Sequence, residues 1–234
     1  MIKQLANGWV KNSFANRLRQ RRMSLLLDML SSTRPPISVL DVGGQEEFWK
    51  ALDMSHWPQL HITLLNLFPI NTNLPFVSSC VGDARSMTMF ADHQFDIVFS
   101  NSVIEHVGGL RDQKAMAQEC LRIGNNYFVQ TPNRYFPLEP HFLFPGFQFL
   151  PNTLRAFLHS RFNLGWWKRR SNFYAALEEV ESIRLLTYRE LLYIFPGCNI
   201  WREKVWGITK SYVVYSQKAN HRLLRTPLRA AAEP

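Results

Sequence analysis

ISVLDVGGQEEFW, residues 37–49, runs from an apolar strand into an acid, two glycines and a helix start. Ile37, Val39, Leu40 and Val42 form a short branched run of the kind buried on both faces of a parallel sheet. Asp41 stands near its carboxyl end, and Gly43-Gly44 allow a tight turn close to a ligand. Helix-forming residues then extend from Gln45 to Leu52.

Further strands follow at intervals suited to successive βα units. HITLLNL (61–67) reads as a second strand ending in Asn66, and VSSCVGDA (77–84) as a short strand and turn ending in Asp83. FDIVFSNSVIEHV (95–107) gives an apolar strand, a polar turn at Ser100-Asn101-Ser102, and a segment carrying Glu105 and His106. A helix from about Asp112 to Arg122 leads to NYFVQTPN, a fifth strand ending at Thr131-Pro132. Ligands of open α/β sheets bind outside the carboxyl ends of the strands. Asp41, Gly43, Asn66, Asp83 and Ser100 to Ser102 are therefore expected to line one crevice.

With DVGG, the GDA turn, FDIVFSNSVIEHV and QTPNRYFPLEPHFLFP in this order, the chain resembles the class I S-adenosylmethionine (SAM) dependent methyltransferases from about Val39 to Ser216. The similarity is greatest to the small-molecule branch that includes type 11 and ubiquinone-biosynthesis enzymes. NIWREKVWGITKSYVVYS, two alternating runs split by Gly207, resembles the antiparallel last pair of strands of that family. The resemblance implies a Rossmann-like, doubly wound seven-stranded α/β sheet with an antiparallel last strand and a helical cap inserted after strand five. It also implies a cofactor set. Asp41, Gly43 and Gly44 would approach the amino acid part of SAM, Asn66 the ribose, and Asp83 with Ala84 the adenine, while Ser100 and Asn101 would close the site beneath the sulfonium. Gln45 and Glu47 depart from the family by standing where glycines are usual, and Asn66 stands where an acid is usual. An amide carbonyl cannot grip two vicinal hydroxyls as a carboxylate does, so a weaker ribose contact is expected.

A chain of 234 residues with 46% hydrophobic content can bury the core of one α/β domain. No apolar run approaches the roughly 20 residues needed to span a bilayer, and the N-terminus lacks the apolar core of a secretory signal, so a cytoplasmic location is expected. Cys80, Cys120 and Cys198 fit neither a redox pair nor a zinc pattern, and no metal is expected. The formal net charge of +9 sits at the ends of the chain: a basic helical segment over 1–34 and a basic tail over 217–234 flank a neutral domain over 35–216. That distribution disfavours nucleic acid as partner, because phosphate binding calls for cations at the active-site mouth. An RNA methyltransferase nevertheless remains one alternative. A cofactor-free interaction module that kept the fold is another, and a nicotinamide-dependent oxidoreductase is disfavoured by Asn66. From Ser13 to Leu30 the leading segment is expected to form a lid-like helix whose apolar part packs on the domain.

The cap, about 133–180, is crowded with Phe, Trp and Pro, and 141–177 carries no acid. Aromatics of this density suit a lipophilic or aromatic small-molecule acceptor, or simply the packing of a small cap core. Trp166-Trp167 followed by Lys168-Arg169-Arg170 would also suit peripheral contact with an anionic membrane surface. His141 is the first choice as general base, since an imidazole near its ordinary pKa takes protons at neutral pH. His106 and Glu139 come next.

Overall fold

The computed structural model describes residues 14–52 and 54–216; the expected tail at 217–234 and the first thirteen residues of the N-terminal segment lie outside the described residues. Helix α1 (Phe14–Ser32) precedes a sheet whose parallel strands are β1 (Ile37–Val42), β2 (Leu60–Asn66), β3 (Val77–Val81), β4 (Phe95–Asn101) and β5 (Gly124–Pro132). The chain then closes the sheet with β8 (Asn199–Val205) and β9 (Ile208–Tyr215), and β9 runs antiparallel to both β5 and β8. Strand order is β3-β2-β1-β4-β5-β9-β8. The step from β3 back to β4 crosses the sheet beside β1, which opens a crevice at the carboxyl ends of β1 and β4.

Alternation along each strand divides the core. Leu40, Val42, Val98 and Val129 face one side with α3 (Leu110–Ile123) and α6 (Tyr188–Ile194). Val39, Ile97, Phe99 and Phe128 face the other with Leu25, Leu26, Met29 and Leu30 of α1. Helix α1 is thus a layer of the core, with its apolar part packed on the sheet face as expected. The helix after the glycine turn, α2 (Glu46–Lys50), is shorter than expected. Gln45 provides no side-chain cap, and the Glu46 carboxylate turns away to accept the Asn73 amide at 2.6 Å.

The insertion after β5 has its own small core. A hairpin of β6 (Leu138–Glu139) and β7 (Phe144–Pro145) is followed by α4 (Asn152–Arg161) and α5 (Phe173–Glu181). Phe142, Phe147, Ala156, Leu164, Ala176 and Val180 pack together, joined by Ile183 and Leu185. The cap therefore reaches beyond 180, and the chain rejoins the sheet at Leu186, which bridges to Asn133.

Candidate functional site

Three turns meet at the carboxyl edge. The Gly43 amide donates to Leu65 O at 2.8 Å and the Gly82 amide to Asn66 O at 2.9 Å, so the turns after β1 and β3 are both tied to β2. Gly43 has φ of 72°, and a Cβ there would come within 2.5 Å of Val103, so the turn after β4 leans directly on it. Gln45 and Glu47 are exposed.

Several side chains expected to face a ligand are already engaged. Asp41 is buried, its Oδ2 accepts the Trp49 indole N–H at 2.8 Å, and burial pushes its carboxyl up to about 7 despite that bond. A Cβ on Gly44 would fall 2.0 Å from the same oxygen, so the carboxyl lies beneath the glycine turn. The Asn66 amide donates to Gly44 O at 2.9 Å and braces this turn. Asp83 is clasped by Arg85, whose N–H groups hold the carboxyl below the usual carboxylate range. Ala84 is buried behind it. In contrast, Ser100 Oγ and Asn101 Oδ1 are buried without hydrogen-bond partners at the end of β4, beside the Gly43 turn. Orphaned groups of this kind call for an occupant.

The candidate catalytic residues converge on the same edge. The cap hairpin presents Glu139, whose Oε2 accepts the amides of His141 and Phe142 at 2.7 and 2.6 Å while Oε1 bonds His141 Nδ1 at 2.7 Å. A carboxylate there accepts from Nδ1–H, which leaves Nε2 of His141 as the unengaged nitrogen. Burial opposes the charged form of His141, but the bond and charge of Glu139, with Glu105 beyond, outweigh it and raise its pKa. His106 meets His141 edge to face, ring centres 4.9 Å apart. Crowding by protein and the charge of His141 favour its neutral form, although His106 keeps an exposed edge that moderates the effect.

Glu105 lies beside these histidines and is bonded to Thr131 of β5. It is fully buried, and burial raises its pKa. Thr131 donates to Oε2 at 3.0 Å, while Oε1 has no partner. One donor atom from each of Glu105, His106 and His141 lies within 4.8 Å of the others, so the set could hold a metal ion that the cysteine count gave no reason to expect. Gln113 on α3 positions the group: its amide donates to Ile104 O at 3.0 Å and Arg184 O at 2.8 Å, and the Arg184 amide donates to Glu105 O at 2.8 Å. Glu105 was visible only as part of a Glu-His pair; Gln113 carried no sequence signal.

The aromatic and basic run of the cap is divided between its interior and its surface, where Trp166, Lys168, Arg169 and Arg170 are exposed. Trp167 packs in the cap core, Trp166 donates to Pro140 O at 3.2 Å, and Arg170 pairs with Glu179. Among the described residues, no helix is long and apolar enough to cross a membrane.

Residues 60–126, from β2 to the start of β5, match a family model described as a methyltransferase domain. The carbon methyltransferase CurJ superposes on 94% of this chain and 58% of its own with a TM-score of 0.55 at 14% identity. The chain has the class I methyltransferase fold. The trans-methyltransferase CalH, solved in complex with SAH, shares the methyltransferase fold with a TM-score of 0.50 at 12% identity, over 88% of this chain and 60% of that one. An uncharacterized protein of Mycobacterium tuberculosis is 31% identical over 85 residues, which is 36% of this chain and 28% of the relative. The chain thus matches less than two thirds of the length of each of these proteins.

Proposed function

We propose that the protein is a SAM-dependent methyltransferase acting on a small-molecule acceptor with an apolar, aromatic-compatible body. The observation that carries this reading is the Glu139-held His141, which the cap brings to the carboxyl edge of a methyltransferase-type sheet. The residues fit the cofactor at the glycine turn and at the orphaned Ser100 and Asn101, which would hold its methionine end; Asn66 and Asp83 would meet the ribose and adenine with their remaining acceptor capacity. When bound, SAM supplies a methyl group already activated on a sulfonium. The protein's own work is alignment and proton management. His141 Nε2 takes the acceptor's proton, Glu139 fixes the ring and steadies the imidazolium, and Glu105 adds a second favourable charge. The cap excludes water from the transfer.

Calorimetric titration with SAM, SAH and NAD tests the reading. SAM and SAH isotherms with none for NAD are expected; heat with NAD alone would replace methyl transfer by hydride chemistry, and no heat at all would favour an interaction module. His141→Ala is expected to keep SAH affinity and to lower turnover about 10²- to 10⁴-fold. Retention on RNA that falls steeply with salt would favour the RNA alternative. The grouping of Glu105, His106 and His141 supports a second reading in which a bound cation lowers the acceptor's pKa, and loss of turnover on chelation, restored by added metal, would favour it.

A further inference from the structure

A cavity of about 520 Å³ opens between the cap and the turn that follows His106. Phe149, Leu150, Val180, Ile183 and Leu185 give it apolar walls. Its polar groups are unevenly balanced. Arg155 is 7% exposed, yet among the described residues no carboxylate lies within ion-pair distance of it. Its guanidinium has a hydrogen bond to Asn152 Oδ1 at 3.1 Å and the Phe147 ring at 5.1 Å, and its Nε is buried with no partner. Arg134 also lines the cavity, and its guanidinium likewise has no ion pair among the described residues. Gln148, whose amide nitrogen is spent on Arg134 O and Phe136 O, leaves Oε1 buried and unpartnered there.

Three arginines, Arg134, Arg155 and Arg184, face the cavity against two carboxylates, Glu139 and Glu181, whose charges favour Arg155 without touching it. Glu139 is held by His141 and two amides, Arg184 is paired with Glu190, and Glu181 accepts from Asn152 at 3.3 Å. Helix α4 also begins at this wall, through Pro151 and Asn152, with no acid in its first turn. Burial penalises the Arg155 guanidinium more than the carboxylates of Glu139 and Glu181 favour it from a distance, and an anion bonded directly to it would offset that cost. Glu139 joins the two halves of the site, since it lines the cavity and orients His141.

We propose that this cavity is the acceptor pocket and that it takes a small organic anion, a carboxylate or phosphate ester on an apolar body, with Arg155 and Arg134 as its recognition pair. The assignment as acceptor rests on the methyltransferase reading; the anion site itself does not. Phenyl phosphate, benzoate and neutral benzyl alcohol are titrated into the full chain at physiological salt, alongside SAH, for wild type, Arg134→Gln and Arg155→Gln. At least one of the two anions is expected to bind, with benzyl alcohol at least about tenfold weaker, and each variant is expected to weaken that anion about tenfold or more while leaving SAH affinity within about twofold. Equal binding of benzyl alcohol, failure of both anions, or unchanged anion affinity in Arg134→Gln would overturn the proposal. Should the buried Arg155→Gln fail to fold, the partly exposed Arg134→Gln decides alone. Anion binding without SAH binding would sink the methyltransferase reading and leave this pocket standing; SAH binding without anion binding would do the reverse.

Discussion

The glycine-turn side of the crevice and the cap differ in where their polar side chains are spent. Around the turn the chain satisfies itself: Trp49 holds Asp41, Asn66 holds Gly44, and Arg85 holds Asp83. On the cap side, and along the turn that reaches it, buried atoms of Glu105, Gln148 and Arg155 have no partners. The first region has spent its polar groups on fixing the backbone turn, and the second leaves several buried polar atoms unbonded. Ser100 and Asn101, orphaned at the end of β4, mark where the two regimes meet.

The largest expected effect breaks the self-satisfied side. Asp41 titrates near 7 in the fold, against its ordinary value of 3.8, so the folded state binds more protons between these limits. Its contribution to stability is therefore greatest below pH 4 and declines as pH rises to about 7, by up to about 4 kcal/mol for so buried a group. Asp41→Asn should remove that slope, so that urea unfolding shows the variant gaining on wild type from pH 4 to pH 7; parallel curves would show that the carboxyl is not buried beneath the turn. Gly44→Ala should cost about 3 kcal/mol and SAH binding together, because the new methyl must displace Asp41 from Trp49. A variant of normal stability would mean that the turn yields, and would erase the contrast.

The remaining two sharpen the comparison. With His141 as the proposed base, turnover would need its ring neutral; Glu139 raises its pKa, so Glu139→Gln should move the acidic limb of the pH–rate profile to lower pH and lower the plateau about tenfold. An unmoved limb would assign Glu139 to hairpin structure alone. Smallest of all, Arg85→Gln should change thermal stability by less than about 1 kcal/mol, since its pair with Asp83 is exposed.

The parallel strands were legible because runs such as Ile37–Val42 and Phe95–Ser100 carry both their burial and their polar ends in a few consecutive residues. The final antiparallel pair was legible from its alternation about Gly207. The orientation of Asp41 was not, because it depends on an indole eight residues later that only the fold brings beneath the turn. His141, His106 and Glu139 stood out as candidates by residue type, and the fold brings them together. Glu105 takes its meaning from Thr131 and His141, which arrive from other elements, and the arginine-lined cavity draws on separate stretches of the chain. No local pattern records such a convergence.

The cap's hydrophobic cluster is separate from the two that flank the sheet. Residues 133–185 therefore carry a core of their own and meet the layers beneath through a few polar ties, Asn133 to Thr209 and Arg184 to Glu105 and Gln113. A substitution inside the cap core would then reshape the walls of the cavity without rebuilding the glycine turn, the two being joined through the segment from Ser100 to Gly109.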